Sequence, residues 1–299
     1  MRSSRRGQRN RRKMTRRRKQ RGGAAAAHAL VSGAAFKAAC KYNLDDRYPL
    51  IPYDAKLAEG DRVFLKHQDV QAKFLTAPPP KKVALVIHNS DETFDDAMME
   101  MVKPYVTEVY AANCSAKDAK QIPLGFRDDQ YTPHKVLYDV LNDASKSSDK
   151  TTLCLVNFNI ETNGGDRTDA RDKFKGKSWA TVSENYMNLN KDQSLKHGDP
   201  EIQKMRVDYY AQLKATKFVS CPPGTGKETH RVYDALFFCA VPVIKTSFLD
   251  PMYERLGGCW IVKDWTEVTE EACNSRWTKV SRPKIDFGTK QWLYISNGY

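Results

Sequence analysis

Short apolar runs alternate along the chain with longer segments whose apolar residues recur at helical spacing. The runs at residues 83–87 (VALVI) and 240–244 (AVPVI) are continuous, as in strands that a sheet buries on both faces. Further strands are predicted over residues 60–67, 152–157, 217–220 and 259–265, and helices over residues 94–103, 133–144 and 201–216. Because strands and helices alternate, the pattern predicts an α/β protein with parallel sheets.

Breaks in this pattern predict two domains behind a tail. The polar stretch at residues 145–150 separates a first domain, residues 42–150, from a second, residues 151–299. At 299 residues the chain is long enough for two domains of ordinary size. Residues 1–41 are predicted to form a disordered tail that is basic at its start and rich in alanine toward its end.

The region from residue 220 to residue 264 carries the clearest chemical signal. Its glycine loop contains Gly224 and Gly226, which let backbone amides approach a ligand, and Thr229 is a suitable cap for the helix that follows. An anion placed there meets unpaired N–H groups and the positive end of the helix. Because ligands of parallel sheets bind at the carboxyl ends of the strands, the loop is predicted to face a ligand.

Three polar side chains open the predicted helix. His230 and Arg231 lie in its first turn and Asp234 follows at helical spacing, so the three can share one face. This arrangement suits a diphosphate near Arg231 and a ribose diol near Asp234. The structural alternative is a solvent-facing ion pair between Arg231 and Asp234, worth roughly 0.2–0.5 kcal/mol. A Walker A loop is rejected, because Cys221 and Glu228 stand where that motif needs Gly and Ser or Thr.

This region resembles the C-terminal domain of exostosin-like glycosyltransferases, in the compact form found in large DNA viruses and microbes. The family pattern runs approximately S-P-x-G-x-G-x-x-x-H-R-x-x-E-A-L and then I-P-I-V. The matching residues here are Ser220, Pro222, Gly224, Gly226, His230, Arg231, Ala235, Leu236, Pro242 and Val243. Asp234 departs from the usual Glu, and this shorter carboxylate must lie closer to a ribose hydroxyl. Pro223 stands where some relatives carry a basic residue.

Upstream blocks extend the resemblance over residues 83–265. Residues 83–91 and 107–126 are similar to a strand with its loop and to the following helix-to-strand step of the family, and residues 153–167 to the start of its second domain. The resemblance implies a GT-B-like fold, in which two Rossmann-like domains face a central cleft. It implies transfer of a sugar from a nucleotide-diphosphate donor to a hydroxyl of a glycan or glycoprotein acceptor, without a metal ion or other cofactor.

Candidate residues for this chemistry lie at predicted strand ends. The diphosphate is assigned to Arg231 and the backbone of residues 224–229, with Arg167 as a second cation from a loop at residues 163–167 and Lys245 as a weaker candidate. If the reaction inverts, the candidates for a general base are His88 and Asp91, which follow a strand of the first domain; Glu161 and Asp166, near the cleft, are alternatives. The alternative is that this H-N-S-D loop is only a hydrogen-bonded turn.

The net positive charge lies in the tail. The formal charge of the chain is +13; residues 1–21 contain 12 Arg or Lys and no Asp or Glu, which leaves 37 basic and 36 acidic side chains elsewhere. The tail is interpreted as an attachment to nucleic acid or another anionic partner, as a nuclear or nucleolar targeting signal, as the start of an organellar transit peptide, or as a solvated extension. Two alternatives to an enzyme remain: a nucleic-acid-associated protein, and a glycosyltransferase-like module that binds glycans or nucleotides without turnover.

Cysteine usage indicates a reducing compartment. The seven cysteines include no C-x-x-C pair, which argues against a disulfide framework and a zinc site, and thiols such as those of Cys154 and Cys239 are expected in the core. An intracellular, cytoplasmic protein is therefore expected. No segment reaches the roughly 18 apolar residues that a transmembrane helix needs. A D-x-D metal motif is also absent, since the aspartate pairs at residues 95–96 and 128–129 are adjacent.

Overall fold

The computed structural model describes residues 30–45, 53, 55–183, 199–279 and 287. Within these residues the protein is α/β, with two parallel five-stranded sheets. The first sheet contains β1 (Tyr42–Asn43), β2 (Arg62–Leu65), β3 (Val83–Ile87), β4 (Val106–Ala111) and β5 (Lys120–Gln121), which lie side by side in chain order. The second sheet contains β6 (Thr152–Val156), β7 (Ala180–Val182), β8 (Thr216–Ser220), β9 (Val241–Lys245) and β10 (Trp260–Val262). Its strand order is β10-β9-β8-β6-β7.

Helices connect the strands. In chain order they are α1 (Gly33–Ala38), α2 (His67–Asp69), α3 (Asp96–Val102), α4 (His134–Asn142), α5 (Gly164–Phe174), α6 (Pro200–Lys214), α7 (His230–Phe237), α8 (Asp250–Leu256) and α9 (Glu270–Trp277). A π-helical turn, Val70–Phe74, continues α2, and short 3-10 turns cover Lys103–Tyr105, Ile160–Thr162 and Trp265–Glu267.

The predicted α/β pattern is confirmed, although several segments differ. Residues 107–126 were compared with a helix-to-strand step of the family, but β4 and β5 lie there with no helix between them. All five residues of β3 are buried, as expected for a strand covered on both faces. The strand predicted at residues 259–265 stops at Val262, because Asp264 caps a 3-10 turn with its side chain. The loop predicted at residues 163–167 is instead the start of α5. Asn163 caps this helix by accepting a hydrogen bond from the Asp166 amide.

The predicted disordered tail is wrong for residues 30–41. Ser32 caps α1 by accepting a hydrogen bond from the Ala35 amide, and the Phe36 side chain of this helix is fully buried. Leu30 and Val31 are also buried in the apolar core. These three apolar side chains outweigh the alanine-rich context that suggested a tail. The remainder of the predicted tail, residues 1–29, lies outside the described residues.

The two sheets pack through one apolar cluster. All strands of the first sheet precede residue 150 and all strands of the second follow it. Phe126, after β5, contacts Tyr233 and Phe237 on α7, at ring distances of 6.0 and 5.8 Å. Although α4 precedes residue 150, it packs against α6, where Lys214 donates to the Val140 carbonyl at 3.1 Å. The halves are therefore held together by buried contacts rather than by a flexible linker alone.

The states of the cysteines and the lengths of the helices can be compared with the predictions of reduced thiols and of no transmembrane segment. All seven cysteines are free, and Cys154 is buried as predicted. Cys239 is exposed, contrary to expectation, because the chain leaves α7 through a left-handed conformation at this residue, with φ of 55°. In the part of the chain that the structure describes, no helix has the length and apolar character needed to cross a membrane.

Candidate functional site

A cavity of about 760 Å³ lies where the carboxyl ends of the two sheets meet. The first half of the chain lines it with α1 and with the segments after β3 and β5, chiefly residues 89–91 and 124–131. The second half lines it with residues after β6 and β8, chiefly the glycine loop and the first turn of α7. This is the edge at which parallel sheets bind ligands.

The order of strands in the second sheet marks one part of this edge. From β6 the chain passes to β7 on one side, then returns to β8 on the other side. Loops that leave such a pair of strands diverge and open a crevice between them. Arg167 on α5 follows β6, whereas Gly224 and Arg231 follow β8, and all three residues line the cavity. The predicted donor residues therefore converge at a topological switch point.

The glycine loop is held in a tight turn by the segment after β6. Within the loop, the Gly224 amide donates to the Gly226 carbonyl at 3.0 Å. Asn163 donates its side-chain amide to the Gly224 carbonyl at 3.1 Å, and Arg167 donates Nε to the Pro223 carbonyl at 2.8 Å. The loop conformation is thus fixed before any ligand binds.

Two guanidinium groups share one aromatic ring beside this loop. The Cζ atoms of Arg167 and Arg231 lie 5.7 and 5.6 Å from the ring centre of Phe158, which is 4% exposed. Burial, assisted by the charge of Arg231, lowers the pKa of Arg167 to about 10. Neither arginine forms an ion pair within 4.0 Å among the described residues, and Nε of Arg231 is buried without a hydrogen-bond partner there. This pair of uncompensated cations is suited to an anion.

The absence of an ion pair between Arg231 and Asp234 within 4.0 Å argues against the structural alternative for these residues. Asp234 instead accepts a hydrogen bond from the Tyr209 hydroxyl at 3.4 Å and lines the cavity. Burial raises the pKa of Asp234 to about 7, although the charges of Arg231 and Arg127 oppose the shift. Its carboxyl group can therefore bind hydroxyl groups on the cavity side.

The start of α7 differs in one detail from the prediction. Thr229 occupies the cap position by its backbone, but its hydroxyl makes no capping hydrogen bond and is buried without a partner among the described residues. Thr229 also lines the cavity. Its hydroxyl, together with the first amides of α7, thus provides unsatisfied hydrogen-bonding groups of the kind that hold phosphate oxygens.

His230 is held as a neutral ring. Its Nδ1 donates to the Gly125 carbonyl at 2.7 Å, which fixes the tautomer and leaves Nε2 as an acceptor. Burial, together with the charge of Arg127, lowers the pKa of His230 to about 3. His230 lines the cavity but supplies no positive charge for a diphosphate at neutral pH.

The two candidate bases lie in different surroundings. Asp91 is exposed and lines the cavity. His88 is 1% exposed, packs against Phe36 and does not line the cavity. Its Nδ1 accepts from the Asn89 amide at 2.8 Å and its Nε2 donates to the Pro123 carbonyl at 3.1 Å, while burial lowers its pKa. This geometry supports Asp91, and not His88, as the group that could accept a proton.

Lys245 also lies apart from the cavity. Its Nζ is 3.4 Å from a carboxylate oxygen of Asp166, and the side chain is not part of the cavity wall. The β9 strand ends at Lys245, so the residue was placed correctly at a strand end. Its ion pair, which the sequence spacing does not reveal, directs it away from the predicted role.

Sequence reasoning missed Glu228 as a site residue. Glu228 is 3% exposed, lines the cavity and accepts a hydrogen bond from the Tyr233 hydroxyl. Burial raises its pKa to about 7, against the effect of that hydrogen bond. The only signal in the sequence was an acid in a glycine loop, where a glutamate without a buried partner would be costly.

Neither a search for metal-binding side chains in the described part of the chain nor a comparison with known proteins identifies a cofactor or a family. Among the described residues, no group of three or more His, Cys, Asp or Glu side chains is arranged to hold a metal ion; metal independence stays a prediction. The sequence matches no model of a known protein family, and no curated protein matches it.

Proposed function

We propose that this protein is a glycosyltransferase that uses a nucleoside-diphosphate sugar as donor and a hydroxyl group of a glycan or glycoprotein as acceptor. The observation that carries the proposal is a pair of cations, Arg167 and Arg231, that have no ion-pair partner among the described residues and lie beside the glycine loop and the start of α7. Each of the two cations can contact a different phosphate group of a diphosphate, whereas a monophosphate offers them only one phosphate group.

The arrangement of the two sheets supports a GT-B-like fold. In such a fold two Rossmann-like units present the carboxyl ends of their strands to a common cleft, with the donor on the second unit. Here both sheets are parallel and their carboxyl ends border one cavity. The resemblance to exostosin-like enzymes agrees with this assignment of the donor to the second half.

The proposed reaction follows from these positions. The diphosphate binds Arg167, Arg231 and the amides at the start of α7, and Asp234 accepts a hydrogen bond from the ribose. The acceptor oxygen attacks the anomeric carbon while the bond from that carbon to the phosphate oxygen breaks. Asp91 takes the hydroxyl proton, and the two arginines stabilise the charge that develops on the departing diphosphate.

Calorimetric titration of the full chain with UDP, GDP, CDP and dTDP, and with the matching monophosphates, tests the proposal. At least one diphosphate should bind, and more tightly than its monophosphate. Arg167→Ala should weaken this binding about 30- to 100-fold, as expected for losing about 2–3 kcal/mol of charge-assisted hydrogen bonding.

Arg171→Ala is the matched control, because Arg171 lies one turn further along α5 and pairs with Asp172 at the surface. Its affinity should stay within about twofold of wild type. No binding of any nucleoside diphosphate by folded protein would contradict the proposal. Binding without hydrolysis of any UDP-, GDP- or dTDP-sugar would instead indicate a module that holds nucleotides without turnover.

A further inference from the structure

Asn113 joins the two walls of the cavity. It follows β4, is 1% exposed and has a left-handed backbone conformation with φ of 49°, which Asn tolerates better than most residues. Its backbone carbonyl accepts from the Phe94 amide at 3.1 Å, so the position of the residue is fixed from its own half of the chain.

Both ends of the Asn113 side chain are used, and each holds a different loop. Nδ2 donates to the Ser90 carbonyl at 3.1 Å, and Oδ1 accepts from the Glu228 amide at 2.9 Å. A carbonyl can only accept and an amide N–H can only donate, so these two partners also fix which way the Asn113 amide points. Ser90 immediately precedes Asp91, and Glu228 immediately precedes the cap of α7.

The glycine loop lies against both Asp91 and the Asn113 side chain. A Cβ atom on Gly226 would lie 3.1 Å from Oδ1 of Asp91 and 3.2 Å from Nδ2 of Asn113. A side chain at residue 226 would require these neighbours to shift by a few tenths of an ångström, so the loop backbone lies directly against the proposed base and the amide that holds it. The separation between the base and the diphosphate loop is therefore set by one buried side chain.

We infer that Asn113 is a positioning residue, which holds Asp91 at a fixed distance from the glycine loop so that base and leaving group act on the same sugar. The inference rests on the proposed function. Positioning of this kind is valuable because a displacement of about 1 Å can lower a rate about 100-fold.

Asn113→Asp separates the two contacts. The new side chain still accepts from the Glu228 amide, but when ionised it cannot donate to the Ser90 carbonyl. The donor is the UDP-, GDP- or dTDP-sugar that wild-type protein hydrolyses fastest. With that donor, kcat should fall about 10- to 100-fold while KM changes less than about threefold.

The pH dependence distinguishes positioning from general structural damage. The introduced carboxyl group is buried and lies near the Asp91 carboxylate, and both effects raise its pKa against the opposing hydrogen bond from the Glu228 amide. When protonated it can donate to the Ser90 carbonyl again. The ratio of variant kcat to wild-type kcat should therefore rise at least about threefold between pH 8 and pH 6, as the protonated fraction grows. A structural defect would leave this ratio constant.

Two further variants complete the test. Gly226→Ala leaves Asn113 in place but pushes Asp91 from the loop, and it should also lower kcat more than it raises KM. Thr216→Val removes another buried hydrogen bond, to the Gln212 carbonyl at 2.7 Å, away from the cavity, and should leave kcat unchanged.

The outcomes are distinct. An active wild type whose kcat is retained in both Asn113→Asp and Gly226→Ala would overturn the role of Asn113 and leave the proposed function intact. A wild type that binds diphosphates but hydrolyses no donor would overturn the proposed catalysis, and the role of Asn113 with it.

Discussion

Both walls of the cavity carry charged side chains, but they hold them differently. On the second wall, Arg167, Glu228 and Asp234 are buried enough for their pKa values to shift, and Arg231 shares an aromatic ring with Arg167. On the first wall, Asp91 and Arg127 are exposed, and the Lys66 ammonium lies 2.8 Å from the Asp45 carboxylate. Charges on the second wall are poorly screened, whereas those on the first are screened by water or by a partner. We therefore expect strict recognition of the donor and tolerant recognition of the acceptor.

The largest effect should come from removing a cation of the second wall, and removing a cation of the first wall provides the comparison. Arg231→Ala should weaken binding of the preferred nucleoside diphosphate about 30- to 100-fold, because charge-assisted hydrogen bonds in a desolvated site are lost. Arg127→Ala removes an exposed cation and should weaken it about twofold or less. Calorimetry measures the affinity of both variants for the diphosphate. Equal losses of affinity would show that the two walls do not differ in how strongly their charges bind it.

An intermediate effect is expected on stability. The pKa of Glu228 is raised by burial to about 7 from an ordinary value of 4.5, so the folded state holds a proton that the unfolded state releases. Wild-type protein should therefore lose stability as pH rises from about 4.5 to 7. Glu228→Gln should remove the part of this loss that Glu228 causes and be more stable than wild type by about 1–3 kcal/mol at pH 8, since one pKa unit corresponds to about 1.4 kcal/mol. The part caused by Asp234, whose pKa burial also raises to about 7, should remain.

Urea unfolding between pH 5 and pH 8 measures this difference. Asp208→Asn is the control, because Asp208 forms an exposed ion pair with Lys204 on α6. It should leave the pH dependence of the free energy of unfolding close to that of wild type. If Glu228→Gln follows the wild-type curve as well, the carboxyl group is ionised in the folded state throughout this range.

The smallest effect should follow from the ring that the two arginines share. Phe158→Leu keeps an apolar side chain but removes the cation–π contacts, worth about 1 kcal/mol, and should weaken diphosphate binding about fivefold. Phe158→Tyr should restore it. Phe174→Leu, in the core beside Trp179 and Trp265, should lower stability without changing affinity. Equal affinity losses in both leucine variants would show that packing, rather than the cation–π contact, is what matters.

Much of the fold was predictable because short, consecutive stretches of sequence are enough to identify several of its strands. β3 and β9 are continuous apolar runs, and the glycine loop after β8 contains its own turn residues. Arg231 and Asp234 were identified for the same reason, since their spacing on one helix is a local property. The sequence therefore predicts those features that residues close together in the chain determine.

The rest depends on contacts between distant segments. His88 and Asp91 stand in one short loop, yet only the packing of Phe36 on the His88 ring shows which of them faces the cavity. Asn113 lies 115 residues from Glu228, and no spacing rule links them. The composition of residues 30–41 predicts a tail, because the few apolar residues of this segment gain partners only in the tertiary structure.

That segment also determines how the chain can be shortened. The Val31 amide donates to the Phe287 carbonyl at 2.6 Å, and the Val31 carbonyl accepts from Phe126 at 2.8 Å. Gly125 has φ of 71°, and a Cβ atom there would lie 2.2 Å from the Val31 carbonyl oxygen. The segment at residues 30–41 can therefore pack at this place only against a glycine. Removing residues 1–41 would delete the Val31 amide that holds the Phe287 carbonyl, and it would delete the Phe36 side chain that covers one face of the His88 ring. A shortened protein intended for crystallisation should begin before Leu30.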